Sequence, residues 1–128
     1  MDVEVREATP TDAPAIQSLI ADPVDAERLV RDRRVIVAEG SSGIEGVLAY
    51  ESWNNAVHLS TLVGDGLIVH SLLEEPLRFA EQEGTTVEAV VPDGDKDLQS
   101  ALERAGFVQV GAGPEFDGAV STRYRYDP

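Results

Sequence analysis

The residue types and spacings that could do chemistry lie mostly between positions 58 and 66. His58 sits in the apolar run Ala56 to Val63, and a histidine can take up a proton near neutral pH. The plainer alternative is a strand histidine that is hydrogen-bonded or solvent-facing. Gly64-Asp65-Gly66 follows, and if a helix starts there, its backbone amides and dipole suit an anion, a phosphate above all. A plain tight turn is the other reading of the same two glycines. Ser60 and Thr61 have no base or orienting acid at a recognisable spacing, so a nucleophilic triad is not expected. Asp93, Asp95 and Asp97 cluster around Gly94, but a calcium loop with its closing glutamate is absent, so a solvated helix cap is expected and no metal site. His70 falls on the polar face of the helix that would follow Gly66. Tyr50, Trp53, Phe116, Tyr124 and Tyr126 read as core or rim rather than as a ligand box.

The elements that must position these residues are legible from turn signals. Ala56–Val63 is bounded by Asn54-Asn55 and by the glycine turn, as a buried strand is. Val69, Leu72, Leu73, Leu77 and Ala80 recur at helical spacing, with His70, Glu74, Arg78 and Glu81 opposite and Gly84 closing the helix. Pro76 argues against a long helix, and a Ser71/Glu74 capping box would let one start late. Asp65-Gly66 between apolar residues could instead be a hairpin tip. Val87 to Val91 is a second strand, ended by Pro92-Asp93-Gly94, and Leu98, Ala101, Leu102 and Ala105 mark a second helix. Strand, helix, strand implies parallel neighbours, with ligands at the strands' carboxyl ends.

Ahead of this stretch, Val3 to Arg6 alternates as a strand. Thr11 is the expected cap of a helix carrying Ile16, Leu19 and Ile20, which stops near Asp22-Pro23. A short helix follows, with Asp25 as cap and Leu29 and Val30 on its apolar face. Val35–Ala38 and Ile44–Tyr50 flank Gly40-Ser41-Ser42-Gly43 as a hairpin. Beyond Gly106, Val108 and Val110 begin a strand, and Ala119–Tyr126 is the last. The order is β-α-α-β-β-β-α-β-α-β-β, an α/β (α+β) fold with a mixed, mostly antiparallel sheet of about seven strands and helices on both faces.

The 128 residues suit one domain, 1–128, and 42% hydrophobic content suits a globular chain. There is no cysteine, which removes disulfides, thiolate chemistry and zinc–cysteine sites. No apolar stretch has the length of a membrane span, and the first residues lack a signal-peptide layout, so a cytoplasmic protein is expected. Ten basic residues stand against 24 acidic ones, a net charge of −14, which argues against nucleic-acid binding. Such self-repulsion is screened at molar salt, which points to a salt-loving (halophilic) source.

The order and several local motifs resemble the GNAT superfamily of acyl-CoA-dependent N-acetyltransferases. Val5-Arg6-Glu7-Ala8-Thr9-Pro10-Thr11-Asp12-Ala13 is similar to the family's opening strand and helix start. Val35 to Tyr50 resembles its hairpin of strands two and three, Leu72 to Gly84 its third helix, and Ala101-Leu102-Glu103-Arg104-Ala105-Gly106-Phe107 its closing segment. The resemblance implies acetyl-CoA as co-substrate, lying in a V-shaped split between strands four and five. It implies that a loop, here Leu62, Val63, Gly64, Asp65, Gly66 and Leu67, holds the pyrophosphate, and that a strand-four amide polarises the thioester carbonyl. The acceptor would be a small-molecule or peptide amine, with His58 or Glu51 as general base. The chain departs from the pattern at Thr61, where the family has Gln or Arg. It departs again at Leu102, where the family has a tyrosine acid, and its loop is short. A catalytically inactive GNAT-fold protein, serving as a binding module or as a dimerisation module that forms a homodimer, is the alternative.

Overall fold

Strands and helices alternate as β1 (Glu4–Glu7), a 3-10 turn (Pro10–Asp12), α1 (Ala13–Leu19), α2 (Ala26–Asp32), β2 (Arg34–Gly40), β3 (Gly43–Trp53), β4 (Ala56–Val63), α3 (Gly66–Glu83), β5 (Thr86–Pro92), α4 (Lys96–Arg104), β6 (Val108–Ala112) and β7 (Ser121–Tyr126). This computed structural model describes residues 3–20, 26–115 and 118–128. The seven strands form one sheet in the order β1-β2-β3-β4-β5-β7-β6. Only β4 and β5 pair in parallel, and every other neighbouring pair is antiparallel. The mixed sheet and the element order read from the sequence are therefore present.

Two cores cover the two faces. On one, α3 and α4 pack Val69, Leu72, Leu73, Ala80, Ala101 and Leu102 onto Ile36, Leu48, Val57, Val87 and Tyr124. On the other, α1 and α2 cover only the early strands, through Ala13, Ile16, Val35, Val37, Val47 and Ala49. Among the described residues no helix covers the second face over β5, β7 and β6, and Val90 and Val108 are exposed there or on the edge strand.

The helix after Gly66 is continuous for 18 residues, which settles the choice between helix and hairpin tip. It starts earlier than the Ser71/Glu74 box suggested, because Asp65 is the N-cap and its carboxylate accepts from the Ile68 amide at 3.0 Å. Pro76 consequently lies in the helix interior, where it forfeits one backbone hydrogen bond but is buried against the core. Gly46 and Gly64 let the first turn sit tightly on β3. A Cβ at either would lie 2.3 or 2.7 Å from the Ile68 Cγ2, and Gly64 also has φ +147°.

The opening helix is tied down by Asp12 rather than capped by Thr11. Asp12 accepts from the Thr9 amide at 2.8 Å and from both terminal nitrogens of Arg6 at 2.9 and 3.0 Å. These bonds hold its carboxyl down at about 2, the Arg6 guanidinium contributing most. Arg6 also donates to Glu39, so β1, the 3-10 turn and β2 share one ionic knot. The expected Asp25 cap, the Asp22-Pro23 stop and Phe116 lie outside the described residues.

Candidate functional site

The site begins with a defect in β4. Ala49 of β3 pairs with Thr61 and Tyr50 pairs with Leu59, so Ser60 is an extra residue between them, a β-bulge. Its hydroxyl donates to the Ala49 carbonyl at 3.2 Å. Bulges bend the strand that carries them. Here the parallel ladder to β5 runs from Ala56↔Thr86 to Leu59↔Ala89 and stops at the bulge. Beyond that point Ser60 to Val63 and Val90 to Pro92 diverge around a cleft of about 320 Å³.

The cleft reaches across the sheet. Its lining includes Leu98 and Leu102 from α4 on one side and Ile20, just past α1, on the other. Most of the lining is aliphatic, and Ser60, Thr61 and Asp95 are its polar residues. The Asp95 carboxylate, also at its edge, caps α4 by accepting from the Leu98 amide at 3.2 Å.

A second cavity of about 270 Å³ adjoins the first, sharing Leu59, Ala89 and Val90 with it. Glu51, His58 and Glu88 stand side by side across β3, β4 and β5. Trp53 lies over the imidazole, with ring centroids 4.6 Å apart and planes 19° from parallel. Arg33 forms an ion pair with Glu51, and Arg123 approaches Glu88 at 4.0 Å. His58 Nε2 is shielded from solvent and has no hydrogen-bond partner. A buried ring nitrogen of this kind costs stability unless something accepts or donates there.

The residues singled out from sequence thus fall into two groups. His58 and Glu51 are brought together in the second cavity, with Glu88, Trp53 and Arg123, which sequence reasoning did not assign to a site. The two-residue Asn54-Asn55 turn carried a usable signal, because it fixes the β3–β4 register and so makes Trp53 and His58 diagonal neighbours. Leu62 and Val63 line the cleft. Gly64, Asp65, Gly66 and Leu67 form the turn and helix start beyond its lining, with Leu67 exposed.

No tyrosine lines the cleft. Tyr50 is in the core and donates to Glu75 at 3.0 Å, and burial pushes its phenol up. Tyr124 is fully buried, contacts Gln109 and Glu103, and is pushed up for the same reason. Leu102 occupies the cleft wall instead. Asp93 accepts from Thr122 Oγ1 at 2.7 Å and Asp95 caps α4, and no group of three or more potential metal ligands occurs among the described residues. His70 is exposed on α3. No helix among the described residues is long and apolar enough to cross a membrane.

The arrangement of strands and helices is similar to that of solved acetyltransferase structures. The ribosomal-protein-alanine N-acetyltransferase of Brucella melitensis is similar at a TM-score of 0.78 and 20% identity, covering 98% of this chain and 99% of that one. YncA of Salmonella typhimurium, solved with its cofactor acetyl-CoA, gives 0.77 and 16%, covering 99% and 94%. An acetyltransferase of the GNAT family from Streptococcus pneumoniae gives 0.75 and 15%, covering 98% and 99%. The fold is that of the GNAT acetyltransferases. No family model and no curated protein matches the sequence.

Proposed function

We propose that this protein is an N-acetyltransferase that passes an acetyl group from acetyl-CoA to an amine. The observation that carries the reading is the bulge at Ser60 and the cleft it opens between β4 and β5. An unpaired strand backbone next to an aliphatic slot supplies both a hydrogen-bonding edge for an extended amide-containing arm and a donor for a thioester carbonyl. The similarity of the fold to acetyltransferases, one of them solved with acetyl-CoA, supports the same reading.

The acceptor amine enters from the second cavity. Its nitrogen attacks the thioester carbonyl carbon, a C–N bond forms, the C–S bond breaks, and sulfur leaves as a thiolate that takes a proton from solvent. The His58 imidazole accepts the proton the amine loses. Glu51 and Glu88 flank the imidazole across the neighbouring strands. An amide of the Ser60–Val63 segment holds the carbonyl oxygen. With no tyrosine on the cleft wall, positioning and carbonyl polarisation contribute most of the rate.

The fold's co-substrate fits this chain unevenly. The cleft suits the thioester arm, but the start of α3 presents a capping carboxylate, Asp65, where a diphosphate would approach. The acidic composition supports a salt-rich working environment inside the cell.

The test is amide formation. Acetyl-CoA and a panel of small and peptide amines are incubated with the protein at molar KCl, and free thiol and acetylated amine are measured. Thiol and amide released in equal amounts support the reading. Neither appearing, together with no heat of acetyl-CoA binding by titration calorimetry, sinks it.

A further inference from the structure

We infer that this chain recognises its acyl donor through the thioester arm and not through the nucleotide diphosphate, with Asp65 setting that preference. The inference rests on the acetyltransfer reading above and concerns which part of the donor is gripped.

At the start of α3, the Asp65 Oδ1 already accepts from the Ile68 amide at 3.0 Å. That amide is one of those a helix start offers to a phosphate oxygen, and a carboxylate has taken it. The carboxylate also brings a negative charge to the spot. Only Gly64 and Asp65 separate the last residue of β4 from the first of α3, so there are few further amides to surround an anion.

No arginine or lysine occurs between Gly64 and Leu77. The first arginine of α3 is Arg78, twelve residues along, which is about 18 Å of helix. The only lysine, Lys96, stands between Asp95 and Asp97 at the start of α4. Arg6, Arg33 and Arg123 are held by Asp12, Glu51 and Glu88.

Bulk is not the obstacle. A Cβ at Gly66 would meet nothing within 4 Å, so there is room to approach the helix start. The arm's own path is intact, since Leu59, Leu62, Val91, Leu98 and Leu102 line the cleft. Affinity concentrated on the arm follows from a slot that is built beside a cradle that is closed by charge.

The experiment compares acetyl-CoA with acetyl-pantetheine, which carries the same thioester arm without the nucleotide diphosphate. The wild-type protein should use the two with kcat/KM values within about tenfold of each other. Asp65→Asn keeps a side chain that caps helices equally well and removes the charge. It should raise kcat/KM for acetyl-CoA about fivefold, while acetyl-pantetheine changes less than about twofold. Direct titration with CoA and pantetheine gives the same comparison without turnover, and circular dichroism checks that the variant folds. A preference for acetyl-CoA well beyond tenfold, or an equal response of both donors to Asp65→Asn, overturns the inference and leaves the acetyltransfer reading standing. No turnover of either donor and no binding of either thiol overturns both.

Discussion

Trp53 lies flat on His58 across the β3–β4 pair, and the Nε2 of that imidazole is buried without a partner. The stack fixes the ring's plane, and the cross-strand Glu51 and Glu88 fix its surroundings. A base held in this way should matter to the rate and little to the fold. His58→Gln is expected to lower kcat by about 100-fold or more, with KM for the donor changed little. An unchanged kcat in His58→Gln would remove the residue from the mechanism.

The Arg6–Asp12 pair should appear in acid unfolding. The folded Asp12 carboxyl is held at about 2, below the roughly 3.9 of an unfolded chain. A depressed carboxyl contributes stability above its unfolded pKa and loses it as pH falls toward its folded one. Asp12→Asn should therefore cost about 2 kcal/mol at pH 7. The gap between variant and wild type should hold down to about pH 4 and shrink as the pH approaches 2. Urea unfolding at pH 7, 4 and 2.5 measures it. A gap that stays constant over that range would show that the carboxylate's charge is irrelevant to the knot.

Net charge makes a separate prediction. With 24 acidic and 10 basic residues, the folded chain repels itself, and salt screens that repulsion more in the compact state than in the expanded one. Tm should rise by roughly 5–10 °C between about 0.1 M and 2 M KCl, on the order of 2 kcal/mol for a domain of this size. A Tm that is flat or falls with KCl would show that the charge is carried without cost and would remove the argument for a salt-rich setting.

What the sequence disclosed, and what it hid, follows from the range of the interactions. Gly84, Asn54-Asn55 and Gly64-Asp65-Gly66 act within a few residues, and the elements they punctuate lie where they were expected. Pro76 misled the reading of where α3 begins, because the cost of a proline inside a helix is local, whereas the burial of Ile68, Val69, Leu72 and Leu73 that offsets it depends on the sheet beneath. The bulge at Ser60 leaves no mark in an apolar run, since it exists only relative to the register of β3. Glu88 comes beside His58 only through a parallel pairing that spans all of α3, so nothing near it in sequence marks it. The capping of α3 by Asp65 was not read from the sequence, because an aspartate in a glycine turn is recognisable as a cap only once the helix is known to start at Gly66.

Val90 offers a way to test the junction of cleft and cavity without disturbing the core. It is 43% exposed and lines both spaces, on the face that α1 and α2 leave uncovered. Its strand position is set by pairing with Arg123, so a larger side chain changes the space and not the register. Val90→Trp should narrow the passage by which an amine reaches the thioester. Stability should change by no more than about 0.5–1 kcal/mol, as for other exposed positions. Amide formation should fall by about 100-fold, because displacing a reactant by roughly 1 Å is enough to cost that much. Donor binding by titration should weaken far less, since Leu62, Leu98 and Leu102 line the cleft and not the second cavity. Full activity in a folded Val90→Trp protein would mean that the acceptor arrives by another route, and the assignment of the second cavity would have to be given up.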